Sequence, residues 1–466
     1  MQKETKFVPK DFIDLQYSYM DKIKSFNLEN KKALIETYGC QQNVADSQII
    51  QGMLEKMGYE IISDRQEADL IIFNTCAVRE NAENRVFGNI GALKRLKEKK
   101  PWLLIGICGC MVQQEHITEQ IKNKFKYVDF IFGTHALYNF PKILYEVISN
   151  KEHIFDITDN SGKIAEGFPV RREGDIRAFV SIMYGCNNFC TYCIVPYVRG
   201  RERSRKCEDV ILEVKELIKS GVKEITLLGQ NVNSYGKDLY DSYRFSDLLC
   251  EIDSIEGEFL IKFMTSHPKD CSKELIDTIA ASKHISHHIH LPFQSGSNNV
   301  LRAMNRKYTI EQYIDLIKYA KEKIPDCVIT SDVIVGFPGE TEEDFEKTIS
   351  LIENYDFDTL FMFIYSKRKG TPAEKMENQI SKEDKDRRFQ CLVEVHHSCS
   401  EKINKHMVGK ILKVLIEEEK KDDNVLIGRS TNGKLVTIPY DSGYLGKFVD
   451  VEITKSKMFS LEGKIK

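Results

Sequence analysis

Three cysteines with CxxxCxxC spacing restrict the chemistry of this chain more than any other part of its sequence. They lie in the run Cys186-Asn187-Asn188-Phe189-Cys190-Thr191-Tyr192-Cys193, directly after an apolar segment. A four-iron cluster usually takes four cysteinates, so three thiols leave one iron open to another ligand. Structural zinc needs four ligands in paired spacing, and no fourth Cys or His lies near this loop. The loop therefore predicts a [4Fe–4S] cluster with an open iron, held by Cys186, Cys190 and Cys193.

Composition narrows the class of protein. The chain has 466 residues, enough for two to four domains, and is 42% hydrophobic and 29% charged. No apolar run reaches membrane length, and no signal peptide opens the chain. Thirteen mostly isolated cysteines argue against a disulfide scaffold and indicate a reducing cytoplasm. The net charge of −3 gives no overall excess of basic residues, which is the usual sign of a nucleic-acid-binding chain. Any RNA binding must therefore come from local basic patches.

The first third of the sequence alternates apolar and amphipathic segments. Residues 1–31 are a polar extension with one possible short helix at 12–23. Strands are then predicted at residues 32–38, 69–73, 102–107 and 128–132, with helices between them. This alternation favours a parallel α/β sheet over residues 32–150.

A second group of cysteines follows these strands. Cys40, Cys76 and Cys110 each come directly after an apolar strand, where parallel sheets place their ligands. They are candidates for a second three-cysteine cluster, again with an open iron. The alternative is three unrelated buried thiols, because isolated cysteines often act as small hydrophobic residues. Cys108 competes with Cys110 for the third ligand position, but Cys108 lies nearer the body of its strand.

After a polar linker at 151–175, strand–helix units resume over residues 172–404. Six predicted strands end in polar residues, which favours an incomplete parallel barrel with its site at those strand ends. Asp332 lies inside one of these strands, and the glycine-containing loop 336–340 permits close approach of a ligand.

Residues 405–466 change character to short β-rich runs separated by turns, which predicts a small antiparallel barrel. Residues 401–466 carry 13 Lys and Arg against 10 Asp and Glu. This bias suits an RNA-binding face, and a merely solvated β-domain is the alternative. A second basic candidate is the run 199–206, in which Arg199, Arg201, Arg203 and Arg205 alternate.

The cysteine loop, with Tyr192 before its last cysteine, resembles the signature of radical S-adenosylmethionine (SAM) enzymes. Over residues 32–466 the chain resembles the methylthiotransferases of that superfamily, in the branch of the tRNA-2-methylthio-N6-dimethylallyladenosine synthases. The motifs are residues 38–43 (YGCQQN), 74–80 (NTCAVRE), 108–111 (CGCM), 200–205 (GRERSR), 229–236 (GQNVNSYG) and 291–298 (LPFQSGSN). One departure is Gln42, where the branch usually has Met.

This resemblance implies a three-part architecture: a Rossmann-like parallel α/β domain, a partial (β/α)6 radical SAM barrel and a small β-barrel of the TRAM type. It implies two [4Fe–4S] clusters and two SAM molecules per turnover. One SAM methylates sulfur at the cluster of Cys40, Cys76 and Cys110. The other gives a radical at the cluster of Cys186, Cys190 and Cys193, and that radical abstracts the C2 hydrogen of the base.

The implied substrate is isopentenylated adenosine at position 37, in the anticodon arm of tRNA. A flavodoxin- or ferredoxin-type reductant and a sulfur donor are implied as partners. Sister branches act on N6-threonylcarbamoyladenosine in tRNA or on ribosomal protein S12 and differ at residues 77–80 and 230–233. A rival from another class is a non-catalytic iron–sulfur protein that binds RNA or senses redox state. We expect contacts to SAM from polar and glycine residues at the barrel strand ends: Gln230, Asn231, Ser266, Gln294, Asp332, Gly336 and Gly339.

Overall fold

The computed structural model describes residues 7–26, 31–78, 80–157, 162–172, 174 and 176–466. The chain divides into two compact units. The first comprises residues 1–173, 183–187 and 194–205, and the second comprises residues 174–182, 188–193 and 206–466. Parts of the predicted extension and linker, and Arg79 of the NTCAVRE motif, lie outside the described residues.

The first unit is built on a parallel sheet, as the alternating pattern predicts. Within the described residues its six strands run in the order β2-β1-β3-β4-β5-β6. Their bounds are β1 Lys32–Thr37, β2 Glu60–Ile61, β3 Leu70–Thr75, β4 Leu104–Gly109, β5 Phe130–Phe132 and β6 Ile154–Asp156. The helices of this part are α1 Lys10–Ser25, α2 Gln41–Lys56, α3 Glu80–Ala92, α4 Lys94–Lys99, α5 Glu115–Lys124 and α6 Phe140–Asn150. Sequence reasoning missed two short edge strands, β2 and β6, because they have too few residues to show alternation.

Helix α1 shows that part of the predicted N-terminal extension packs against the rest of the first unit. Met20 and Ile23 on this helix are fully buried in the apolar core beneath the sheet, together with residues of α2 and α6. Burying a side chain of this size contributes about 1.5–3 kcal/mol. Helix α1 is therefore packed as part of the first unit.

Residues 177–204 contribute short elements to both units. Strand β7 (Arg177–Ser181) opens the second unit. The antiparallel pair β8 (Met183–Tyr184) and β9 (Arg203–Ser204), with the short helix α7 (Val195–Arg199), belongs to the first.

The second unit contains the predicted parallel strands. In the described part of the chain they form two three-stranded sheets, β11-β10-β7 and β12-β13-β14, and a single parallel bridge joins Ile261 to Ile285. The strand bounds are β10 Glu224–Leu228, β11 Leu260–Phe263, β12 His288–His290, β13 Val328–Val335 and β14 Thr359–Ile364. The helices are α8 Cys207–Lys219, α9 Phe245–Asp253, α10 Lys273–Ala281, α11 Asn298–Ala303, α12 Ile310–Lys323, α13 Glu342–Asn354 and α14 Lys382–Lys405. The six strands and their helices are the expected open (β/α)6 arrangement.

Residues 411–465 form a closed barrel in the order β15-β16-β17-β19-β18. The strands are β15 Ile411–Lys420, β16 Val425–Ser430, β17 Leu435–Pro439, β18 Phe448–Ser456 and β19 Leu461–Ile465. The prediction of an antiparallel barrel needs one correction, because β17 and β19 pair in parallel. Strand β19 supplies the parallel pair that closes the barrel. No helix among the described residues is both long and apolar enough to cross a bilayer.

Candidate functional site

Cys40, Cys76 and Cys110, here called the strand-end trio, lie at one edge of the first sheet. Strands β1, β3 and β4 are consecutive neighbours in that sheet, and each ends just before one of these cysteines. The Cys110 amide donates to the carbonyl of Thr75, which directly precedes Cys76, at 2.8 Å. Parallel strands bring their carboxyl ends to the same edge, so three cysteines that are distant in sequence converge there.

Glycines make this convergence possible. A Cβ added to Gly39, which has φ +121°, would lie 2.5 Å from the Cys76 Cβ. At Gly109, with φ +95°, it would lie 2.5 Å from the Thr75 carbonyl oxygen. Both glycines directly precede a cysteine of the trio, and both adopt a backbone conformation that other residues rarely enter. The turn before the cysteine is therefore tight in both places.

A buried arginine contacts the strand-end trio. Arg199 is 5% exposed, and its Nε donates to Cys110 Sγ at 3.1 Å. Its Nη2 atom donates to Asn43 Oδ1 at 3.1 Å and pairs with Asp46 Oδ2 at 2.9 Å. Burial raises the pKa of the Cys110 thiol to about 12, while the Arg199 guanidinium acts in the opposite direction. Binding iron would have to displace that proton, and the adjacent cation stabilises the thiolate that results.

Cys108 has a different environment from Cys110. It lies inside β4, 2% exposed, and belongs to the apolar core that contains Met20 and Ile23. Burial raises the pKa of the Cys108 thiol well above its ordinary value. The preference for Cys110 thus has a physical basis, because Cys110 lies past the strand end and receives the Arg199 bond.

Cys186, Cys190 and Cys193, here called the loop trio, lie in a loop whose two ends belong to different units. In the first unit, Gly185 (φ +76°) precedes Cys186, and a Cβ there would lie 2.0 Å from the Arg201 carbonyl oxygen. The Cys186 amide donates to the Gly200 carbonyl at 3.0 Å. Two further bonds join the backbone amide and side chain of Asn187 to the Glu202 carboxylate. These contacts hold the start of the loop.

The second unit holds the remainder of the loop. Phe189 has φ +48°, a strained conformation for a residue with a large side chain, and its carbonyl accepts a bond from Asn305 Nδ2 at 2.9 Å. The Thr191 hydroxyl donates to the Ala303 carbonyl at 2.9 Å. Arg306 is 8% exposed and donates to Cys190 Sγ at 3.5 Å. A second buried guanidinium therefore contacts a second cysteine sulfur.

The residues fit iron–sulfur clusters by donor chemistry. All six cysteines are free thiols rather than disulfides, and each trio has one sulfur bonded to a buried arginine. Within the described residues, no three His, Cys, Asp or Glu side chains are arranged to hold one metal ion. A [4Fe–4S] cluster makes a different demand, since each thiolate binds its own iron.

Several buried polar atoms at the barrel strand ends have no hydrogen-bond partner in the described structure. Among the predicted SAM contacts these are Asn231 Oδ1, Ser266 Oγ and Gln294 Oε1. Gln294 also has φ +66°. A buried polar group without a partner costs about 1–3 kcal/mol, so such atoms at strand ends indicate a place for a polar ligand. The fit to SAM, which carries carboxylate, amino, hydroxyl and adenine groups, is chemically sound.

The structure adds His267, which sequence reasoning missed although it adjoins Ser266. Its Nδ1 accepts the Lys269 amide at 3.2 Å, which leaves the proton of the neutral ring on Nε2, an atom without a partner in the described structure. Burial, and then the Arg306 guanidinium, lower the pKa of His267 well below its ordinary value. It is therefore a neutral donor.

The other predicted SAM contacts differ from these. Asp332 is partly buried, with its carboxylate 3.5 Å from His290 Nε2. The amides of Gly336 and Gly339 already donate, to the Glu340 carboxylate at 2.7 Å and to the Asn378 carbonyl at 2.7 Å. Gln230 is partly buried beside Asn231. Their contact with SAM stays a prediction.

Family models match each of the three parts of the chain. Residues 180–352 match the radical SAM superfamily, residues 32–133 match the uncharacterized protein family UPF0004, and residues 405–466 match the TRAM domain. The chain is 49% identical to the tRNA-2-methylthio-N(6)-dimethylallyladenosine synthase of Alkaliphilus oremlandii, over 100% of this chain and 99% of that protein. It is 53% identical to the enzyme of the same name from Clostridium beijerinckii, over 94% of this chain and 96% of that one.

The chain belongs to the family of the tRNA-2-methylthio-N(6)-dimethylallyladenosine synthases, which are radical SAM enzymes. Identity near one half over essentially the full length decides it. An iron–sulfur cluster and SAM are accordingly its cofactors.

A solved structure supports the fold. The radical SAM methyltransferase TsrM from Kitasatospora setae, with tryptophan and a SAM analogue bound, aligns with a TM-score of 0.54 at 14% identity. The alignment covers 74% of this chain and 75% of that one.

The basic run 199–206 is predicted to contact RNA, and the structure contradicts this for three of its four arginines. Arg199, Arg203 and Arg205 are 5%, 7% and 7% exposed, whereas Arg201 is exposed. Arg205 donates to the Glu166 carboxylate through two nitrogens, at 2.6 and 2.8 Å. Buried arginines cannot reach a phosphate. Arg199 and Arg205 instead bind side chains within the first unit. The sequence gives no sign of this, because alternation alone does not say which side of a segment faces solvent.

Proposed function

We propose that this chain converts N6-(dimethylallyl)adenosine at position 37 of tRNA to 2-methylthio-N6-(dimethylallyl)adenosine by radical SAM chemistry. The observation that carries the proposal is the joint presence of the two cysteine trios in a chain that is 49% identical, end to end, to a synthase of that name. The C2–H bond of a purine offers no acidic proton for general-base chemistry at neutral pH. Radical chemistry supplies what an acid–base site cannot.

Each cysteine trio is assigned one cluster. The loop trio would hold the cluster that binds SAM, and the strand-end trio would hold a second cluster. When bound, a [4Fe–4S] cluster with an open iron supplies the electron for SAM cleavage. Asn231, Ser266, Gln294 and His267 have unpaired buried polar atoms, and we assign these atoms to orienting SAM. The apolar core around Tyr192, which includes Phe337 and Tyr365, limits water behind the loop.

The partners follow from the same chemistry. The terminal barrel, matched as a TRAM domain, is assigned to the tRNA anticodon arm. A flavodoxin- or ferredoxin-type protein would deliver electrons, and a separate donor would supply sulfur. The thirteen free thiols suit the reducing cytoplasm.

Mass spectrometry of tRNA nucleosides from a deletion strain tests the function. We expect the 2-methylthio-N6-(dimethylallyl)adenosine signal to disappear and its unthiolated precursor to accumulate. The wild-type gene should restore the signal, and the Cys186→Ala gene should not. Loss of the methylthiolated threonylcarbamoyladenosine, or of the modification on ribosomal protein S12, would instead assign the chain to a sister branch. Unchanged nucleosides with a protein that never cleaves SAM would support a non-catalytic role.

A further inference from the structure

Arg199 is placed where its charge acts on sulfur rather than on RNA. It ends α7, six residues after Cys193 in sequence, and all three of its recorded acceptors lie in the first unit. The acceptors are Cys110 Sγ, Asn43 Oδ1 and Asp46 Oδ2, at 3.1, 3.1 and 2.9 Å. At 5% exposure the guanidinium has little water to compensate for a lost partner.

The contacts of Arg199 extend to a second cysteine. Asn43 Oδ1, which accepts from Arg199, also accepts from Cys40 Sγ at 3.3 Å. Asn43 Nδ2 in turn donates to the Thr75 carbonyl at 2.9 Å, one residue before Cys76. The planar guanidinium fork can serve a sulfur and two oxygens at once, which a lysine ammonium cannot do in a fixed geometry. Arg199 therefore bonds Cys110 directly and shares the acceptor Asn43 Oδ1 with the Cys40 thiol. The Cys40 bond needs the thiol proton and is given up when that sulfur binds iron, so the Cys110 bond is the one that remains.

Neutralising Asp46 does not by itself explain this arrangement. An ion pair needs a guanidinium facing a carboxylate, whereas here Nε faces the sulfur and only one terminal nitrogen faces Asp46. Asp46 is itself largely buried, so the site holds one cation, one anion and the sulfur that would ligate iron.

We propose that Arg199 is a positioning residue of the strand-end trio: its bond to Cys110 Sγ raises the reduction potential, and slows the iron loss, of the cluster held there. The inference rests on the proposed second cluster. Hydrogen bonds to cluster sulfurs and the local net charge set reduction potential. Reduction adds negative charge, so a nearby cation favours the reduced form and a nearby anion disfavours it. Arg199 and Asp46 consequently act with opposite signs on the potential, although they stabilise each other as an ion pair.

The test uses full-length protein in which Cys186, Cys190 and Cys193 are replaced by Ala, so that only the strand-end cluster remains. Its midpoint potential is measured by redox titration followed by electron paramagnetic resonance. We expect Arg199→Gln to shift the potential to more negative values and Arg199→Lys to shift it less. Asp46→Asn should shift it to more positive values. Iron release to a chelator should be about 10–100-fold faster in Arg199→Gln, the usual cost of losing a residue that supports a metal ligand.

A matched control separates electrostatics from folding. Arg65 pairs with the Glu36 carboxylate through two nitrogens in the same unit, and its remaining recorded bond goes to Asn89 rather than to sulfur. Arg65→Gln should lower thermal stability without moving the potential. Should Arg199→Gln fail to fold, Arg199→Lys and Asp46→Asn still decide the sign.

The outcomes separate the inference from the proposed function. If Arg199→Gln and Asp46→Asn move the potential in the same direction, or neither moves it, Arg199 is only half of a structural ion pair and the inference is wrong. If the parent variant binds no cluster, the second cluster does not exist and the inference falls with it. In that case a wild-type protein that still modifies tRNA would leave the catalytic function standing.

Discussion

The loop trio lies within eight consecutive residues, whereas the strand-end trio takes one cysteine from the end of each of three neighbouring strands. In the loop trio the cysteines are close in the sequence, and hydrogen bonds within each unit fix the backbone of the residues that belong to it. In the strand-end trio the sheet brings them together, and any error in strand order or register would separate them. We therefore expect damage to the first sheet to affect the strand-end trio more than the loop trio, of which only Cys186 belongs to the first unit.

The two buried arginines extend the comparison. Arg199 is paired with the Asp46 carboxylate. Arg306 donates instead to Cys190 Sγ, to the Pro292 carbonyl at 2.8 Å and to the Tyr308 hydroxyl at 3.3 Å, and it has no carboxylate partner among the described residues. A buried cation without an anion favours an additional negative group nearby. A cluster with three thiolates, joined by the carboxylate of SAM, would supply one.

The largest expected effect comes from removing the loop trio. Replacing Cys186, Cys190 and Cys193 together by Ala should abolish SAM cleavage and halve the iron content, from about eight atoms per chain to about four. Anaerobic reconstitution, iron assay and chromatography of 5′-deoxyadenosine measure both. Continued 5′-deoxyadenosine formation would contradict the assignment of the loop trio.

Removing the strand-end trio should separate SAM cleavage from methylthiolation of the base. With Cys40, Cys76 and Cys110 replaced by Ala, 5′-deoxyadenosine should still form while the methylthiolated nucleoside disappears. The iron content should again fall by about half. Both products are measured in one assay with precursor tRNA. If the methylthiolated nucleoside persists, the strand-end trio is structural.

Glycine substitutions test the trios through the backbone. Gly39→Ala should prevent cluster binding at the strand-end trio, and Gly185→Ala should prevent it at the loop trio. Each new Cβ would lie within 2.5 Å of neighbouring atoms. Gly221, with φ +100° and open space around it, is the control. Gly221→Ala should cost only about 1–2 kcal/mol of backbone strain and keep both clusters. Iron content with circular dichroism decides the comparison, and full iron in Gly39→Ala would show that the close approach to Cys76 does not matter.

The terminal barrel is best tested by charge substitution. Deleting it would remove Lys434, which is buried and ion-paired with Asp358 of the preceding parallel-sheet region, so deletion would disturb more than RNA binding. Lys410 and Lys455 are exposed and form no ion pair within the described structure. Their joint replacement by Gln should weaken tRNA binding and lower the salt slope by about 1.4, since each phosphate contact to a single strand contributes about 0.7.

The control for the barrel is Lys464→Gln, since Lys464 already pairs with Glu452 at 3.3 Å. Binding is measured by fluorescence anisotropy over a range of salt concentrations. An unchanged slope in the double variant would place the tRNA contact elsewhere.

The smallest effect is expected at Cys108. Cys108→Ala removes one sulfur from the core, so it should cost about 1 kcal/mol of stability and leave iron content and activity at wild-type levels. Thermal unfolding and the nucleoside assay measure it. A lost cluster in this variant would mean that Cys108, rather than Cys110, is the third ligand.

The sequence by itself determined the loop trio, the alternation of strands and helices in both parallel regions, and the position of Cys40, Cys76 and Cys110 at strand ends. These features depend on local spacing and periodicity, which a linear sequence displays. Only the tertiary structure decided that most of the run 199–206 faces inward, that β17 and β19 pair in parallel, and that Arg199 and Arg306 each contact a cysteine sulfur. Those features depend on contacts between residues far apart in the chain, such as Arg199 with Cys110 and Arg306 with Cys190. The direction in which a side chain points across such a distance is set by packing, and no local pattern records it.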